Sequence, residues 1–193
     1  MIAFVPLMLL LIAASVVGQE FLPPVILDSE TGTFQIFFLL PWVTFYSLSL
    51  AVPYPLMLFF ALVTGVLWDA RAPVNLDPEE FRLGTTVAFL ALFGSLTQGI
   101  RPLFRKGHWL LPTMMVGAAV GLHLIAEFVL ICFVRGSFGF SQDVWSKVLL
   151  STGVAVVMAP FLLYFISRAA KKCGYKLEYE QFMFRRSPHG YSL

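Results

Sequence analysis

The side chains best suited to proton chemistry are His123 and Glu127, which lie four residues apart within a long apolar stretch. That spacing places both on one face of a helix. An ionisable side chain deep in a membrane helix costs about 2.5–3.5 kcal/mol and usually faces a bundle interior or a cavity. The pair therefore serves either as a proton relay or ligand contact, or as a packing device in which the two side chains hydrogen-bond or Glu127 is protonated. Packing is favoured, because no second charged span accompanies the pair.

No other pattern in the sequence predicts catalysis. The zinc-protease, paired-cysteine, nucleophile-elbow, P-loop and dinucleotide-binding motifs are all missing. Cys132 lies in an apolar run and Cys173 in a basic tail, so we expect neither a disulfide nor a metal site. The residues therefore give no recognisable catalytic site, and we expect no cofactor.

Gly117 and Gly121 precede the ionisable pair with a spacing that lets another helix approach closely. The strip serves either close packing within one bundle or contact with the transmembrane helix of a partner. Ala61 and Gly65 repeat the spacing, which makes any single instance less specific. We predict that Gly117, Gly121, His123 and Glu127 form a helix-packing or partner-contact surface.

The composition is that of an integral membrane protein. Of the 193 residues, 59% are hydrophobic and 12% charged, with a mean hydropathy of +0.83. Soluble domains carry about 25% charged and 45–50% apolar residues. We expect an all-α bundle of six transmembrane helices over residues 1–173, followed by a basic and aromatic cytoplasmic tail over 174–193.

The apolar runs predict six spans, at about residues 1–18, 34–51, 55–68, 84–100, 109–134 and 148–167. The first is expected to be retained, because the chain start lacks the basic residues of a signal peptide. Pro53 and Pro55 frame a tight turn between the second and third spans. Asp77 and Pro78 predict a capped helix start in the loop before the fourth.

Charge distribution predicts the orientation. Six spans put both termini on one side, and most Lys and Arg residues fall there, notably Arg101, Arg105 and Lys106 in a short loop. Most acidic residues fall on the other side. Since basic residues favour the cytoplasmic side, both termini are predicted to be cytoplasmic. The basic tail is expected to lie on anionic lipid or to bind a cytosolic protein, and not to bind nucleic acid.

The order of short motifs resembles the MreD family of bacterial rod shape-determining membrane proteins. The second span opens with Pro41-Trp42, the third ends in Gly65-Val66-Leu67-Trp68-Asp69, and Leu83-Gly84-Thr85 opens the fourth. A basic aromatic loop over 104–109 then precedes the long fifth span. The resemblance covers about residues 34–172, and the loop between Asp69 and Leu83 is longer than the family pattern.

The resemblance implies a fold similar to the substrate-binding subunits of energy-coupling-factor vitamin transporters. It also implies a non-enzymatic scaffold of the cell-elongation machinery in the bacterial inner membrane. The implied partners are MreC, the MreB filament, and the RodA glycosyltransferase with its transpeptidase. Asp69 and Gly84 are then expected to form the outer end of a helical hairpin, with no catalytic role for Asp69.

The alternative function is that of a vitamin-type transport subunit. It requires a polar ligand pocket near the outer face, drawing on Trp68, Asp69 and the loop at 71–82. The outer loops supply charges but few clustered aromatic or amide side chains. The scaffold is therefore the leading hypothesis.

Overall fold

The computed structural model describes residues 3–22, 25–29, 32–70, 84–103, 110–136, 139 and 142–177. In these residues the chain forms six α-helices and one antiparallel pair of strands. In chain order the elements are α1 Phe4–Glu20, β1 Val25–Ser29, β2 Gly32–Ile36, α2 Leu40–Ala51, α3 Tyr54–Asp69, α4 Thr85–Ile100, α5 Leu110–Arg135 and α6 Gln142–Lys172. The six predicted helices are therefore confirmed. The capped turn at 77–80, the basic residues at 105–106 and the tail beyond 177 lie outside the described residues.

The region before α2 differs from the prediction. A polar loop was expected over 19–33 and a span over 34–51, but β1 pairs with β2 from Val25 opposite Ile36 to Ser29 opposite Gly32. The segment is rich in β-branched and aromatic residues, which favour strands. The helix begins only at Leu40, where Pro41 occupies the first turn and needs no donor partner there. The predicted span therefore began six residues too early, because the apolar residues of β2 and the segment after it were counted as part of the helix.

Helix α2 lies at the centre of the molecule. Every residue from Pro41 to Ala51 is buried, and the helix contacts α1, α3, α4, α5 and α6. A helix with no face exposed to solvent is stable only when other elements surround it. With 12 residues it is about 18 Å long, less than the roughly 30 Å of a bilayer core. It is not the full-length span that was predicted.

One end of the bundle, here called the hairpin end, gathers the strand pair with the C-termini of α1 and α3 and the N-termini of α2, α4 and α6. The Leu40 amide donates to Gln19 Oε1 at 3.0 Å, which ties α1 to α2. The Phe37 amide donates to Ser151 Oγ at 3.2 Å, which ties the segment before α2 to α6. Both bonds supply side-chain acceptors to backbone amides at the entry to α2.

The opposite end, here called the tail end, holds the start of α1 and the end of α6. Gly174 has a φ of 62°, in the left-handed region where glycine terminates helices. The chain then turns so that Tyr175 stacks on Phe4 with ring centres 4.2 Å apart. Leu177 is buried as well. The first residues of the predicted tail therefore pack against the bundle.

The core of the bundle is mostly apolar, and much of the outer surface of the helices is apolar as well. Large apolar side chains are exposed on α1, α3, α4, α5 and α6, whereas several hydroxyl and imidazole groups are buried. Such extensive apolar surface marks contact with a membrane or a partner. By length and composition, the stretches Leu110–Val134 and Val144–Lys172 can each cross a membrane.

Candidate functional site

His123 lies in a box of aromatic rings at the core of the bundle. Its imidazole is buried and stacks on Trp42, with ring centres 3.9 Å apart and planes 16° from parallel. A 2.8 Å hydrogen bond joins its Nδ1 to the Tyr46 hydroxyl. The rings of Phe89 and Phe93 lie 5.6 and 6.0 Å away. The box joins α2, α4 and α5, so this geometry favours the packing interpretation for His123.

Glu127, one turn further along α5, has different surroundings. It is half-buried and faces a cavity of about 140 Å³ at the hairpin end. The cavity walls combine aromatic and aliphatic side chains with one carboxylate, one ammonium and one hydroxyl. They are Phe37, Leu39, Trp42, Trp68, Leu124, Glu127, Lys147 and Ser151. His123 and Glu127 thus share a helix face but serve two neighbouring features, the box and the cavity.

Trp42 forms the wall between the box and the cavity. One contact of its ring is the stack on His123, and the other is Trp68, whose ring centre lies 5.7 Å away at a 57° tilt. Its indole Nε1 is buried and has no hydrogen-bond acceptor among the described residues. A buried donor without an acceptor is costly and rare in folded proteins. In the sequence, Pro41-Trp42 was significant only as part of a family motif, so the position of Trp42 between the box and the cavity was not predicted.

Asp69 and Gly84, predicted to end the helical hairpin, are joined directly. The Gly84 amide donates to Asp69 Oδ2 at 2.7 Å. Gly84 has a φ of 94°, a conformation that side chains other than glycine rarely adopt. The carboxylate also lies beside the N-terminus of α4, where the helix dipole favours negative charge. The two residues fix the end of α3 to the start of α4 across the segment at 71–83.

The small-residue strip of α5 is occupied by the protein's own sixth helix. A methyl group added at Gly117 would overlap the Val156 side chain, and one at Gly121 would lie 2.8 Å from Thr152 Oγ1. Both contacts are with α6, which approaches α5 closely here. The strip is therefore a packing surface within the bundle, and it is not open to the transmembrane helix of a partner.

Arg101 has a role that the sequence did not predict. It was assigned to a cytoplasmic basic loop, yet it is buried and its Nη2 donates to the carbonyls of Ser49 and Val52 at the end of α2. Gln98 Nε2 donates to the same carbonyls at 3.1 and 3.2 Å. A cation suits the negative end of a helix dipole. Arg101 thus caps the C-terminus of α2 inside the bundle. It is therefore weaker evidence for the orientation in the membrane than an exposed loop residue would be.

Comparison of the chain with protein-family models, with curated proteins and with solved structures gave no match. Among the described residues, no three His, Cys, Asp or Glu side chains cluster as metal ligands would. What these residues do assemble is an aromatic-walled cavity bearing one carboxylate and one ammonium. Concave sites lined by aromatic side chains with a few polar groups are the usual form of a ligand site.

Proposed function

We propose that the protein is a multi-pass protein of the bacterial inner membrane with both termini in the cytoplasm. The support comes from its apolar exterior, its buried polar groups and the length of α5 and α6. Lipid leaves no water to solvate the backbone, so non-helical segments at membrane depth must be covered by protein. In the segment that enters α2, the Phe37 amide is paired in this way with Ser151 Oγ of α6.

Within that membrane the proposed role is a non-enzymatic scaffold of the cell-elongation machinery, similar to the MreD family. It would link MreC, the MreB filament and the RodA glycosyltransferase with its transpeptidase. One observation carries the proposal: motif residues from separate parts of the resemblance come together at the hairpin end. Trp42 contacts Trp68, and Asp69 binds Gly84. In the sequence these motif residues were related only by their order along the chain. In the fold they contact one another and join α2 to α3 and α3 to α4.

Co-purification with MreC tests this function. The full chain is co-expressed with affinity-tagged MreC, extracted in mild detergent and quantified against an unrelated six-helix membrane protein. We expect the chain to co-purify with MreC and to restore rod shape in cells depleted of their own MreD. A folded, membrane-inserted chain that neither binds MreC nor restores shape would refute the scaffold. Bulky substitutions at Gly117 or Gly121 do not serve here, because they disrupt α5–α6 packing whatever the function.

The cavity is the observation that favours the second candidate, a vitamin-type transport subunit. Its volume of about 140 Å³ is below the roughly 300–1,000 Å³ of sites for drug-sized ligands. A vitamin would therefore require the walls to move apart. A thermal-shift screen against vitamins separates the candidates, since a clear stabiliser would replace the scaffold as the leading function.

A further inference from the structure

One face of α6 is exposed along the half of the helix that leads to the tail end. Its apolar part consists of Val157, Phe161 and Phe165, each at least half exposed. Arg168 and Lys172 continue the series and are exposed as well. These residues follow one another at intervals of three or four, so they share one side of the helix. The face is therefore apolar along most of its length and basic at its end.

The spacing along this face matches one leaflet of a membrane. Arg168 lies eleven residues beyond Val157, which corresponds to about 16 Å along the helix, close to half of a bilayer core of roughly 30 Å. Lys147 lies 21 residues before Arg168, a distance of about 32 Å that spans the whole core. With Val157 near the centre of the bilayer, Arg168 and Lys172 lie at the level of the lipid phosphates.

The cations at this end of α6 have no acidic neighbours in the described part of the chain. Lys171 is exposed beside Arg168 and Lys172, so three cations occupy the last five residues of the helix. The other described segments at the tail end are the first turns of α1, α3 and α5 and the last turns of α2 and α4, and none of them contains Asp or Glu. These segments therefore offer the cations no carboxylate.

Tyr164 lies where the apolar part of the face meets the basic part. Its side chain is exposed, and Arg168 Nη1 donates to its hydroxyl at 3.3 Å. Tyrosine is enriched at the boundary between acyl chains and headgroups, because its ring is apolar and its hydroxyl is polar. A guanidinium has five N–H donors in a planar fork that suits the oxygens of a phosphate. The bond to Tyr164 uses one of them and holds the group at this boundary.

We propose that this face of α6 binds an anionic phospholipid in the leaflet at the tail end. Its phosphate lies against Arg168 and Lys172, and an acyl chain lies along the apolar part of the face. A zwitterionic lipid fits less well, because its own cation would be repelled by the cations of the helix. The inference rests on the membrane location proposed above and is independent of the scaffold role.

Competition between lipids tests the preference. The full chain in neutral detergent receives equal amounts of phosphatidylglycerol and phosphatidylethanolamine with the same acyl chains, and native mass spectrometry counts each lipid that remains bound. We expect phosphatidylglycerol to be retained at least fivefold more often. Glycerol 1-phosphate at the same concentration should not displace it, because that molecule has no acyl chain. Equal retention of the two lipids, or displacement by glycerol 1-phosphate, overturns the proposal.

Charge-removing variants show whether the lipid binds at this face. Arg168→Gln and Lys172→Gln are each expected to reduce the excess of phosphatidylglycerol at least threefold. Lys147→Gln is the matched control, because it removes an exposed cation at the other end of the same helix, where Nζ lies 4.2 Å from the centre of the Phe37 ring. It should keep the full excess. All three positions are exposed, so the variants are expected to fold, which size-exclusion chromatography checks. An equal loss in the control, or no loss at positions 168 and 172, also overturns the proposal.

Labelling at Val157 separates this inference from the membrane location on which it rests. Val157→Cys, made after Cys132 and Cys173 are replaced by alanine, should resist a water-soluble maleimide in membranes. Free labelling would refute the membrane location and the lipid site with it. A protected position 157 together with equal retention of both lipids would refute the lipid site alone.

Discussion

The Tyr46 hydroxyl is the polar partner of His123 in an otherwise aromatic box. Both side chains are buried, and the bond between them joins α2 to α5. At the scale of single residues, such pairs matter because removing one partner leaves the other desolvated without compensation. Asp69 and Gly84 form a second pair of this kind, half-buried at the hairpin end.

Tyr46→Phe is expected to lower the free energy of unfolding by about 1–3 kcal/mol, because it leaves His123 Nδ1 without its partner. Reversible unfolding in detergent measures the change. The double variant Tyr46→Phe with His123→Phe should lose less than the two single losses combined, since both polar groups are then gone. Tyr164→Phe, which removes an exposed hydroxyl, is the control and should cost less than about 0.5 kcal/mol. Equal losses at Tyr46 and Tyr164 would contradict the assigned bond.

Asp69→Ala is expected to cost about 1–2 kcal/mol, because it removes both the acceptor for the Gly84 amide and a negative charge beside the start of α4. Asp69→Asn retains an acceptor oxygen and should cost roughly half as much. Lys171→Ala, which removes an exposed charge at the other end of the bundle, serves as the comparison. Denaturant unfolding resolves the three variants. If Ala and Asn were equally harmless at position 69, the carboxylate would have no capping role.

At the scale of elements, close approach between helices is set by glycine. A methyl group at Gly65 would lie 2.8 Å from the backbone Cα and N of Val87, so α3 and α4 touch backbone to backbone there. By contrast, Gly153 on α6 faces open space. These two glycines occupy similar helix interiors but differ in what a side chain would meet.

Gly65→Ala is therefore expected to destabilise the protein by about 1–3 kcal/mol, because α3 and α4 must move apart. Gly153→Ala should instead add about 0.5–1 kcal/mol, since alanine loses less backbone freedom in a helix. The midpoint of thermal unfolding of each purified variant is the measurement. A neutral Gly65→Ala would show that α3 and α4 do not approach this closely.

The elements were predictable from sequence to different degrees. The apolar runs located α3, α4 and α5 almost to the residue, because each is bounded by proline, glycine or charge. They misplaced the start of α2, because strand residues such as Phe34 and Ile36 are as apolar as helix residues. The contacts of the candidate site were harder to predict than the helices. The pairing of Tyr46 with His123 and the capping by Arg101 depend on which helices become neighbours, and spacing along one helix holds no such information.

At the scale of the whole molecule, the proposed orientation places the hairpin end outside and the tail end inside. Lys147 and Lys176 are exposed near these two ends. Single-cysteine variants Lys147→Cys and Lys176→Cys are made after Cys132 and Cys173 are replaced by alanine. We expect a membrane-impermeant maleimide to label position 147 in intact spheroplasts and position 176 only in inverted vesicles.

A position that the proposed arrangement turns toward lipid serves as the reference for this labelling. Val157 is 64% exposed on the outer face of α6, so Val157→Cys should resist the water-soluble reagent from both sides while reacting with an apolar one. Labelling of both 147 and 176 from one side would contradict the alternating arrangement. Free access of the water-soluble reagent to 157 would contradict a membrane-embedded bundle.

The short central helix also has a consequence for the order in which the protein is made. The segment entering α2 relies on Ser151 of α6 for one of its backbone donors, and α6 is translated about a hundred residues later. Until α6 has been made, α2 can pack only against α1 and against those of α3, α4 and α5 that have already been translated. A ribosome-bound chain that ends before α6 should remain open to protease at the start of α2. A chain long enough to include α6 should be protected from protease at the start of α2. The last helix would then complete the assembly of the bundle.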